Sequence, residues 1–402
     1  MSEPHISRVL PAWQVPQNIS EQTKDALLAV CFYLFSRTIM LIGVIISMLP
    51  HIIWDAVPYA AVIWSQVHDD SGWYHYIASS GYIKQDTPFF PLYPLLVRGV
   101  HFVFSMSYTT AGLVVSNAAY VIALYLLLRL FRRVVSVSSA RYGVLAFALY
   151  PMAIFNSSMY TESLFVTLIA ATWLCLLDRK YLRAGIFGFF AVLTRNEGGL
   201  LWIPFFWTMW HQKRSDGEIP QKSLFAALLL PLAGVLYLGY QWVKFGNPLL
   251  FMTEEHLWGR HFLFPIITLF NGFIQFPHLW SINGWYGKVY YTIENVSVIF
   301  VLLFLPIVWR KLPKDWFFFL LFMILIPLSD PATGVISITP QPHLVQDWFF
   351  SFSRFVIPMM PLWGAIGSWV SKGTWKKILY FSFSSAGLVF VSAMINLHYF
   401  LA

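Results

Sequence analysis

The sequence predicts an all-α polytopic membrane protein, on three observations. Apolar residues make up 58% of the 402 residues. Charged residues make up only 11%, whereas a soluble domain has about 25%. Apolar runs long enough to cross a bilayer recur along the chain. By span length we expect about eleven membrane segments, near residues 27–53, 109–131, 142–160, 162–178, 184–194, 198–210, 223–243, 295–309, 315–329, 355–371 and 378–400.

Two of these segments are too short to be straight spans, which need about 20 residues each. Segments 184–194 and 198–210 indicate half-length helices that meet at Thr194–Gly199, with the sequence TRNEGG. Broken helices are tolerated in membranes where they line a polar cavity. We therefore predict a re-entrant or broken pair at this point.

The basic residues predict the orientation. The longer loops 54–108, 244–294 and 330–354 contain only six of the 26 Lys and Arg residues. Another 18 lie in the polar tail 1–26 and in the short turns 129–141, 178–183, 211–222, 309–314 and 371–377. Because basic loops stay in the cytoplasm, we expect the tail and short turns there and the long loops on the opposite face. Residues 1–402 then form one membrane-embedded domain.

Several classes of protein and cofactor receive no support from the sequence. Residues 1–25 are polar and do not resemble a cleavable signal. Cys31 and Cys175 lie in separate apolar runs and indicate no disulfide framework or zinc site. There is no phosphate-binding loop or dinucleotide fingerprint, and the acids lack metal-ligand spacing. We expect no cofactor, no metal and no nucleic-acid partner, but contact with membrane lipids.

The three long outer loops combine aromatic and acidic residues. In the first loop, Asp70, Trp73, Tyr74 and Ile77 follow the spacing of one helical face. The stretch 89–104 is apolar but contains Pro91, Pro94 and Arg98, which is typical of an interfacial or re-entrant helix. The acids of these loops are Asp55, Asp69, Asp70, Asp86, Glu254, Glu255, Glu294, Asp330 and Asp347.

The Asp69-Asp70 pair has two interpretations. Aspartate is a preferred N-cap, so one of the two could simply begin a helix. A helix cap needs only one acid, and here two consecutive acids precede an aromatic helical face. Carboxylates at the end of a membrane span are also energetically costly. The second interpretation is a catalytic carboxylate, with Asp70 first and Asp69, Trp73 and Tyr74 as substrate contacts.

Further charged residues lie inside or at the ends of apolar runs. Glu162 is either a cap that opens the segment 162–178 or a carboxylate that lines a pocket. Arg195 either forms an ion pair with Glu197 or Glu162, or contacts substrate. Arg37, in the first span, could be an internal partner for an outer carboxylate.

Outer-face basic residues are candidates for an anion site. Arg354 is expected at headgroup depth, where it is either a snorkelling anchor or an anion contact. His256, Arg260, His261 and Lys288 in the loop 244–294 are weaker candidates of the same kind.

Three motifs follow one another along the chain. They are Asp70-x-x-Trp73-Tyr74-x-x-Ile77-Ala78-x-x-Gly81-Tyr82 with Phe89–Leu95, Tyr160–Phe165, and Thr194–Gly198. In this order they resemble the PIG-V family, the second mannosyltransferase of GPI-anchor assembly (GPI mannosyltransferase 2) with its bacterial relatives. Arg354-Phe355 before a proline-containing span is similar to a later feature of that family. Asp69 departs from the tryptophan that the family has before its aspartate.

The resemblance implies a GT-C glycosyltransferase fold and transfer of mannose from a polyprenyl-phosphate-mannose donor. The transfer inverts the sugar, giving an α-mannoside from a β-linked donor. The acceptor would be a glycolipid, a glycan or a protein. Asp70 matches the family's base, and Glu162, Arg195 and Arg354 match pocket residues.

The chemistry agrees with that implication. A lipid phosphate leaves without a proton, so the general acid of glycosidases is not required. One carboxylate suffices to accept the proton of the acceptor hydroxyl. A preorganised cation, either Arg354 or a loop residue such as His256 or Arg260, would stabilise the charge that grows on the phosphate.

Two alternatives stay open. A transporter or lipid flippase would also use broken helices with internal charges, but it predicts polar residues through several spans and similar halves. A GT-C transferase of glucose or arabinose would differ only in the shape of its pocket. Compact loops and the lack of an ER retrieval tail favour a bacterial plasma membrane, with the ER membrane expected in a eukaryote.

Overall fold

A computed structural model of the chain describes residues 19–54, 69–336 and 343–397. The expected tail is therefore described only from Ile19, and the start of the first outer loop, 55–68 with Asp55, lies outside the described residues. The α-helices are Ile19–Trp54, Asp70–Ser80, Leu92–Phe104, Tyr108–Arg132, Val137–Ala148, Glu162–Leu177, Tyr181–Val192, Trp202–Asp216, Gln221–Phe245, Leu250–Glu254, Pro265–Ile282, Trp285–Lys311, Lys314–Leu328, Phe352–Phe355, Met360–Val370 and Thr374–Asn396.

Within the described part of the chain, five helices are long and apolar enough to cross a membrane. They lie at Ser20–Leu49, Tyr108–Arg132, Gln221–Phe245, Trp285–Lys311 and Thr374–Asn396. Many of their large apolar side chains are exposed, as expected where lipid rather than protein covers them. The prediction of a helical integral membrane protein is confirmed in this form.

The total of eleven segments stays a prediction, because several apolar helices are shorter than a straight span. Leu92–Phe104, Glu162–Leu177 and Tyr181–Val192 belong to this group. The expected segment 142–160 is not one helix. Its helix ends at Ala148, and a 3-10 turn, Pro151–Asn156, follows, because Pro151 has no N–H and restricts the residue before it.

Two expectations about the outer loops are wrong. The helix expected from residue 295 begins at Trp285, so Glu294 is inside a helix and fully buried, not in an outward loop. Its carboxylate accepts hydrogen bonds from the Ser353 backbone N–H (2.7 Å) and from Ser353 Oγ (2.6 Å). The loop 330–354 contains a two-stranded antiparallel hairpin, β1 Ala332–Ile336 with β2 His343–Asp347, which the all-α prediction missed.

The helices pack closely where small residues face each other. A Cβ added at Gly367 would lie 2.1 Å from the Ser139 carbonyl oxygen and 2.7 Å from Gly143 Cα. A Cβ at Gly185 would lie 2.5 Å from the Ala226 carbonyl oxygen. Small residues let helix backbones approach in membranes, where burial of apolar surface gives little drive for association.

The break expected between segments 184–194 and 198–210 is present. The helix Tyr181–Val192 ends, a 3-10 turn runs over Asn196–Leu201, and a new helix begins at Trp202. A Cβ at Gly198 would lie 2.5 Å from the Ala191 carbonyl carbon, so this turn folds back against the end of the preceding helix. Arg195 and Glu197 are thereby placed at the break.

The first outer loop forms the two helices that its sequence predicts. Asp70–Ser80 ends at Gly81, whose φ of 85° suits glycine. Leu92–Phe104 follows, with Tyr93, Pro94 and Val97 buried and Leu95 exposed. This is the amphipathic distribution of a helix at an interface.

The charge distribution makes a testable prediction of topology. Ser215→Cys and Thr374→Cys in the basic turns should resist an impermeant thiol reagent in intact cells, whereas Gln85→Cys and Ser281→Cys should react. All four positions are exposed in the structure, so a lack of reaction reports the side of the membrane and not burial.

The variants are made in a Cys31→Ser/Cys175→Ser background, because Cys31 is itself exposed. All four cysteines should react after the membrane is permeabilised. If only the cysteines in the basic turns react in intact cells, the orientation is the reverse of the predicted one.

Candidate active site

A cavity of about 360 Å³ brings together several of the sequence-predicted residues. Its walls come from the helix Asp70–Ser80, the segment 88–90, the helix break, the loop 255–260 and the residues that flank the hairpin. The lining residues are Asp69, Asp70, Trp73, Tyr74, Pro88, Phe89, Phe90, Thr194, Arg195, Asn196, Glu197, Glu255, Trp258, Arg260, Ile326, Pro327, Asp330, Phe350, Ser351, Arg354 and Phe355.

Asp70 and Arg354 form the central contact of this cavity. Arg354 Nη1 donates to Asp70 Oδ2 at 2.7 Å, although the two residues are 284 positions apart in sequence. Asp70 is the first residue of the helix Asp70–Ser80, and its side chain pairs with Arg354 and does not cap the helix. Asp69 occupies the N-cap position without a side-chain capping bond, with φ at 50°.

Glu162 joins two arginines behind the cavity wall. Its Oε1 accepts a hydrogen bond from Arg195 Nη1 at 3.1 Å and lies 3.2 Å from Arg354 Nε. The side chain of Glu162 is 1% exposed, whereas that of Asp70 is 18% exposed. Of the two carboxylates, Asp70 is therefore the one that a substrate can reach, and Glu162 holds the arginines in position.

Arg195 makes both of the ion pairs that the sequence left open. Besides Glu162, it contacts Glu197, with Nη2 2.9 Å from Oε1. Its Nη1 also lies 3.3 Å from Thr161 Oγ1, and its guanidinium carbon lies 5.2 Å from the centre of the Phe355 ring. These contacts fix the guanidinium plane at the cavity wall.

Aromatic rings cover one side of the cavity. Trp73 stacks on Phe89 with ring centres 5.9 Å apart and an interplanar angle of 19°, and Trp258 meets both edge-on. Tyr74 is buried beneath them, with its hydroxyl 3.5 Å from Thr161 Oγ1. Flat aromatic faces of this kind can pack on the C–H faces of a sugar ring.

A third arginine, Arg260, also lines the cavity. Arg260 Nη1 donates to Asp330 Oδ2 at 2.6 Å, and its guanidinium carbon lies 4.9 Å from the Phe350 ring centre. Asp69 and Ser351, both non-glycine residues with positive φ, also line the cavity. Such backbone conformations are costly and are found preferentially at functional sites.

Besides Glu162, four predicted candidates lie outside this cavity. His256 is exposed and its ring nitrogen contacts the Thr253 carbonyl oxygen. His261 Nδ1 contacts the Gly259 carbonyl oxygen, and Lys288 Nζ lies 4.4 Å from the Trp280 ring centre. Arg37 is buried against Ser36, Ser157 and Tyr120, and it has no carboxylate partner among the described residues. The structure therefore does not bring these four residues together with Asp70 and Arg354 in the cavity.

Two other outer acids have local structural partners. Asp347 Oδ2 accepts a hydrogen bond from the Tyr290 hydroxyl at 2.7 Å, and burial raises the pKa of Asp347 to about 6. Asp86 Oδ1 accepts from the Ile83 backbone N–H at 3.0 Å, and burial raises the pKa of Asp86 to about 6. Neither lines the cavity.

Sequence reasoning missed Glu255, Trp258 and Asp330 as residues of the site. Glu255 and Asp330 were expected only as acids of the outer loops. Burial and the nearby Asp330 carboxylate raise the pKa of Glu255 to about 7. The signal that could have found it is the Glu254–Arg260 stretch, which places acids, an aromatic residue and an arginine within one short loop.

A second cavity, of about 320 Å³, lies on the other side of the segment 88–91. It is mostly apolar, and Arg98 is its charged residue. Phe90 of the first cavity contacts Tyr237 of the second, with ring centres 4.9 Å apart. The lining residues are Ile77, Gly81, Tyr82, Pro91, Pro94, Leu95, Arg98, Leu193, Leu236, Tyr237 and Tyr240.

The site is a polar cavity lined by arginine–carboxylate pairs and aromatic rings. Across residues 19–54, 69–336 and 343–397, no group of three or more His, Cys, Asp or Glu side chains is placed to hold a metal ion. Comparisons with protein-family models and with curated proteins find no match to this chain.

Proposed function

We propose that the chain is an inverting membrane glycosyltransferase of the GT-C type that resembles the PIG-V family. It transfers mannose from polyprenyl-phosphate-mannose to a lipid-linked or glycan acceptor at the outer face of the membrane. The observation that carries this proposal is the contact between Asp70 and Arg354 in the aromatic-lined cavity. It supplies a carboxylate base and a phosphate-binding cation side by side.

Asp70 acts as the base in this mechanism. Its carboxylate accepts the proton of the acceptor hydroxyl while the acceptor oxygen attacks the anomeric carbon of mannose. The bond from that carbon to the phosphate oxygen breaks, and its electron pair leaves with the phosphate. Attack opposite the leaving group turns the β-linked donor into an α-mannoside.

Arg354 binds the donor phosphate. A guanidinium can hold a phosphate through two parallel hydrogen bonds, and Arg354 uses one of its terminal nitrogens for Asp70. A phosphate that also binds Arg354 weakens the hydrogen bond from Arg354 to Asp70. The Asp70 carboxylate can then accept the proton of the acceptor hydroxyl. Arg195 and Arg260 supply two further guanidinium groups, because each lines the same cavity.

The aromatic wall and the second cavity support the remaining parts of the donor. Trp73 and Phe89 offer flat faces to the mannose ring. The apolar second cavity lies beside the first and offers room for part of a prenyl chain, with Arg98 at headgroup level. This combination suits a lipid-phosphate sugar better than a soluble nucleotide sugar.

The proposal includes eleven membrane segments with the active face outward, and a bacterial plasma membrane as the location. An outward site requires a donor that has already crossed the membrane. A lipid-linked sugar meets this requirement, because its lipid part keeps it in the outer leaflet.

The test is transfer of mannose by the purified protein in lipid nanodiscs. Polyprenyl-phosphate-[¹³C]mannose is supplied with envelope lipids and glycans from cells that lack the protein, and products are identified by mass spectrometry. We expect labelled mannose in an acceptor, with an α-linkage by NMR. If this donor gives no transfer but a prenyl-phosphate that carries glucose or arabinose does, that sugar replaces mannose in the proposal. Absence of transfer from every donor would overturn the enzymatic proposal.

A further inference from the structure

We propose that Glu255 controls entry of the donor phosphate: its neutral carboxyl donates a hydrogen bond to the phosphate, whereas its ionised form repels it. This inference rests on the proposed function, since the phosphate is that of the lipid-linked sugar. Four observations support it. Backbone contacts hold the loop of Glu255 in place, and its side chain has no hydrogen-bond or ion-pair partner among the described residues. The cavity carries more acids than bases, and the surroundings of Glu255 favour its neutral carboxyl group.

Glu255 lies on a wall that is held in place by the hairpin. It begins the 3-10 turn Glu255–Trp258, which ends at Gly259 with φ at 68°. The Thr333 backbone N–H donates to the Gly259 carbonyl at 2.8 Å, and a Cβ on Gly259 would lie 2.0 Å from the Thr333 carbonyl oxygen. Arg260 also forms a β-bridge with Ala332. The position of Glu255 is thus fixed by backbone contacts on its C-terminal side.

Glu255 differs from the paired carboxylates around it. Asp70 is paired with Arg354, Glu197 with Arg195, and Asp330 with Arg260. The side chain of Glu255 makes no hydrogen bond or ion pair with any residue that the structure describes. It can therefore turn to a ligand without breaking an existing contact.

The cavity as a whole carries more acids than bases. Its lining contains five carboxyl groups, from Asp69, Asp70, Glu197, Glu255 and Asp330, against three guanidinium groups. A phosphodiester brings a further negative charge into this surface. Like charges placed together at an interface repel each other, so neutralising one carboxyl group favours phosphate binding.

The surroundings of Glu255 favour the neutral form of its carboxyl group near neutral pH. Burial is the largest cause that raises its pKa to about 7, and the charges of Asp330 and Glu197 add to it, while Arg260 opposes them. Its own loop also carries Glu254 and His256. A raised pKa means that Glu255 is protonated below about pH 7 and ionised above it, so donor binding should weaken as the pH rises.

The experiment measures the dissociation constant of polyprenyl-phosphate-mannose for the full-length protein in neutral-lipid nanodiscs. The donor is a phosphodiester with one charge, which stays constant through neutral pH, so a pH effect comes from the protein. If only the neutral form binds, the wild-type dissociation constant should rise about tenfold from about pH 6 to about pH 8.

Two variants separate Glu255 from its neighbour. Glu255→Gln keeps a hydrogen-bond donor and cannot ionise, so it should bind at the wild-type low-pH strength with no pH dependence. Glu254→Gln removes an adjacent carboxyl that does not line the cavity, and it should retain the wild-type pH dependence.

Carbodiimide labelling supplies a readout without the donor. The reagent modifies protonated carboxyl groups, so peptide mapping should show Glu255 labelling that falls with a midpoint near pH 7. A labelling yield at Glu255 that does not change across this range would overturn the inference.

The two proposals fail in different ways. Wild-type binding that is independent of pH, or Glu255→Gln with the full wild-type dependence, would overturn the role of Glu255 and leave the donor assignment intact. Lack of donor binding at every pH would overturn the donor assignment, and the role of Glu255 with it.

Discussion

Asp70→Asn should lower the turnover of mannosyl transfer by about 10²- to 10⁴-fold, the range that a positioned general base contributes. The amide has the shape of the carboxylate but cannot accept the acceptor's proton. Turnover is measured at saturating donor and acceptor, on protein that is purified and monodisperse. Arg354 keeps its contact with Glu162 in this variant, so the cavity retains a cation for the donor.

Asp69→Asn is the matched control, because it changes the adjacent acid of the same cavity and leaves the contact between Asp70 and Arg354 in place. It should lower turnover far less than Asp70→Asn. Near-normal turnover of Asp70→Asn would remove Asp70 from the role of base. A larger loss in Asp69→Asn than in Asp70→Asn would move that role to Asp69.

Arg354→Ala should lower turnover by about a hundredfold, which corresponds to about 3 kcal/mol of transition-state stabilisation. The negative charge on the phosphate grows as the sugar leaves, so a cation at this point helps most in the transition state. Arg354→Lys keeps the charge but loses the planar fork, and it should retain part of the activity. The measurement is turnover at saturating polyprenyl-phosphate-mannose, normalised to folded protein.

Lys288→Ala is the control for loss of a cation outside the cavity. Lys288 packs on Trp280 and does not line the cavity, so its removal should leave turnover nearly unchanged. If Arg354→Ala only reduces the yield of folded protein, while its turnover per folded molecule equals that of wild type, Arg354 acts as an anchor and not in catalysis. The phosphate would then have to be held by Arg195 or Arg260.

The double variant Asp70→Asn/Arg354→Ala tests whether the pair works as one unit. Residues in direct contact usually have non-additive effects. We expect the loss in the double variant to be clearly smaller than the product of the two single losses.

Sequence reasoning was most informative where a charged residue stands in apolar surroundings. Asp70, Glu162, Arg195 and Arg354 drew attention because a charge at membrane depth is costly and needs a partner. The same reasoning predicted a carboxylate partner for Arg37, and the described residues include none in contact with it. A buried arginine can be accommodated by hydroxyls, carbonyls and an aromatic ring, as Ser36, Ser157 and Tyr120 do here.

The outer loops were less predictable from sequence. His256 and Glu255 are adjacent, yet His256 is exposed while Glu255 lines the cavity. Loop conformation depends on distant contacts, here the docking of Gly259 and Arg260 on the hairpin. Local composition carries no information about such contacts.

Hydropathy along the chain was sufficient to predict a helical membrane protein and the positions of its long helices, although the helix Trp285–Lys311 begins earlier than expected. In a bilayer, each spanning segment must be apolar and must satisfy its backbone hydrogen bonds within itself, so these properties are local. The partners of the charged residues are not local. Arg354 could have met any of several outer carboxylates, and only the packing of helices far apart in sequence brings it to Asp70 and leaves Glu162 buried behind it.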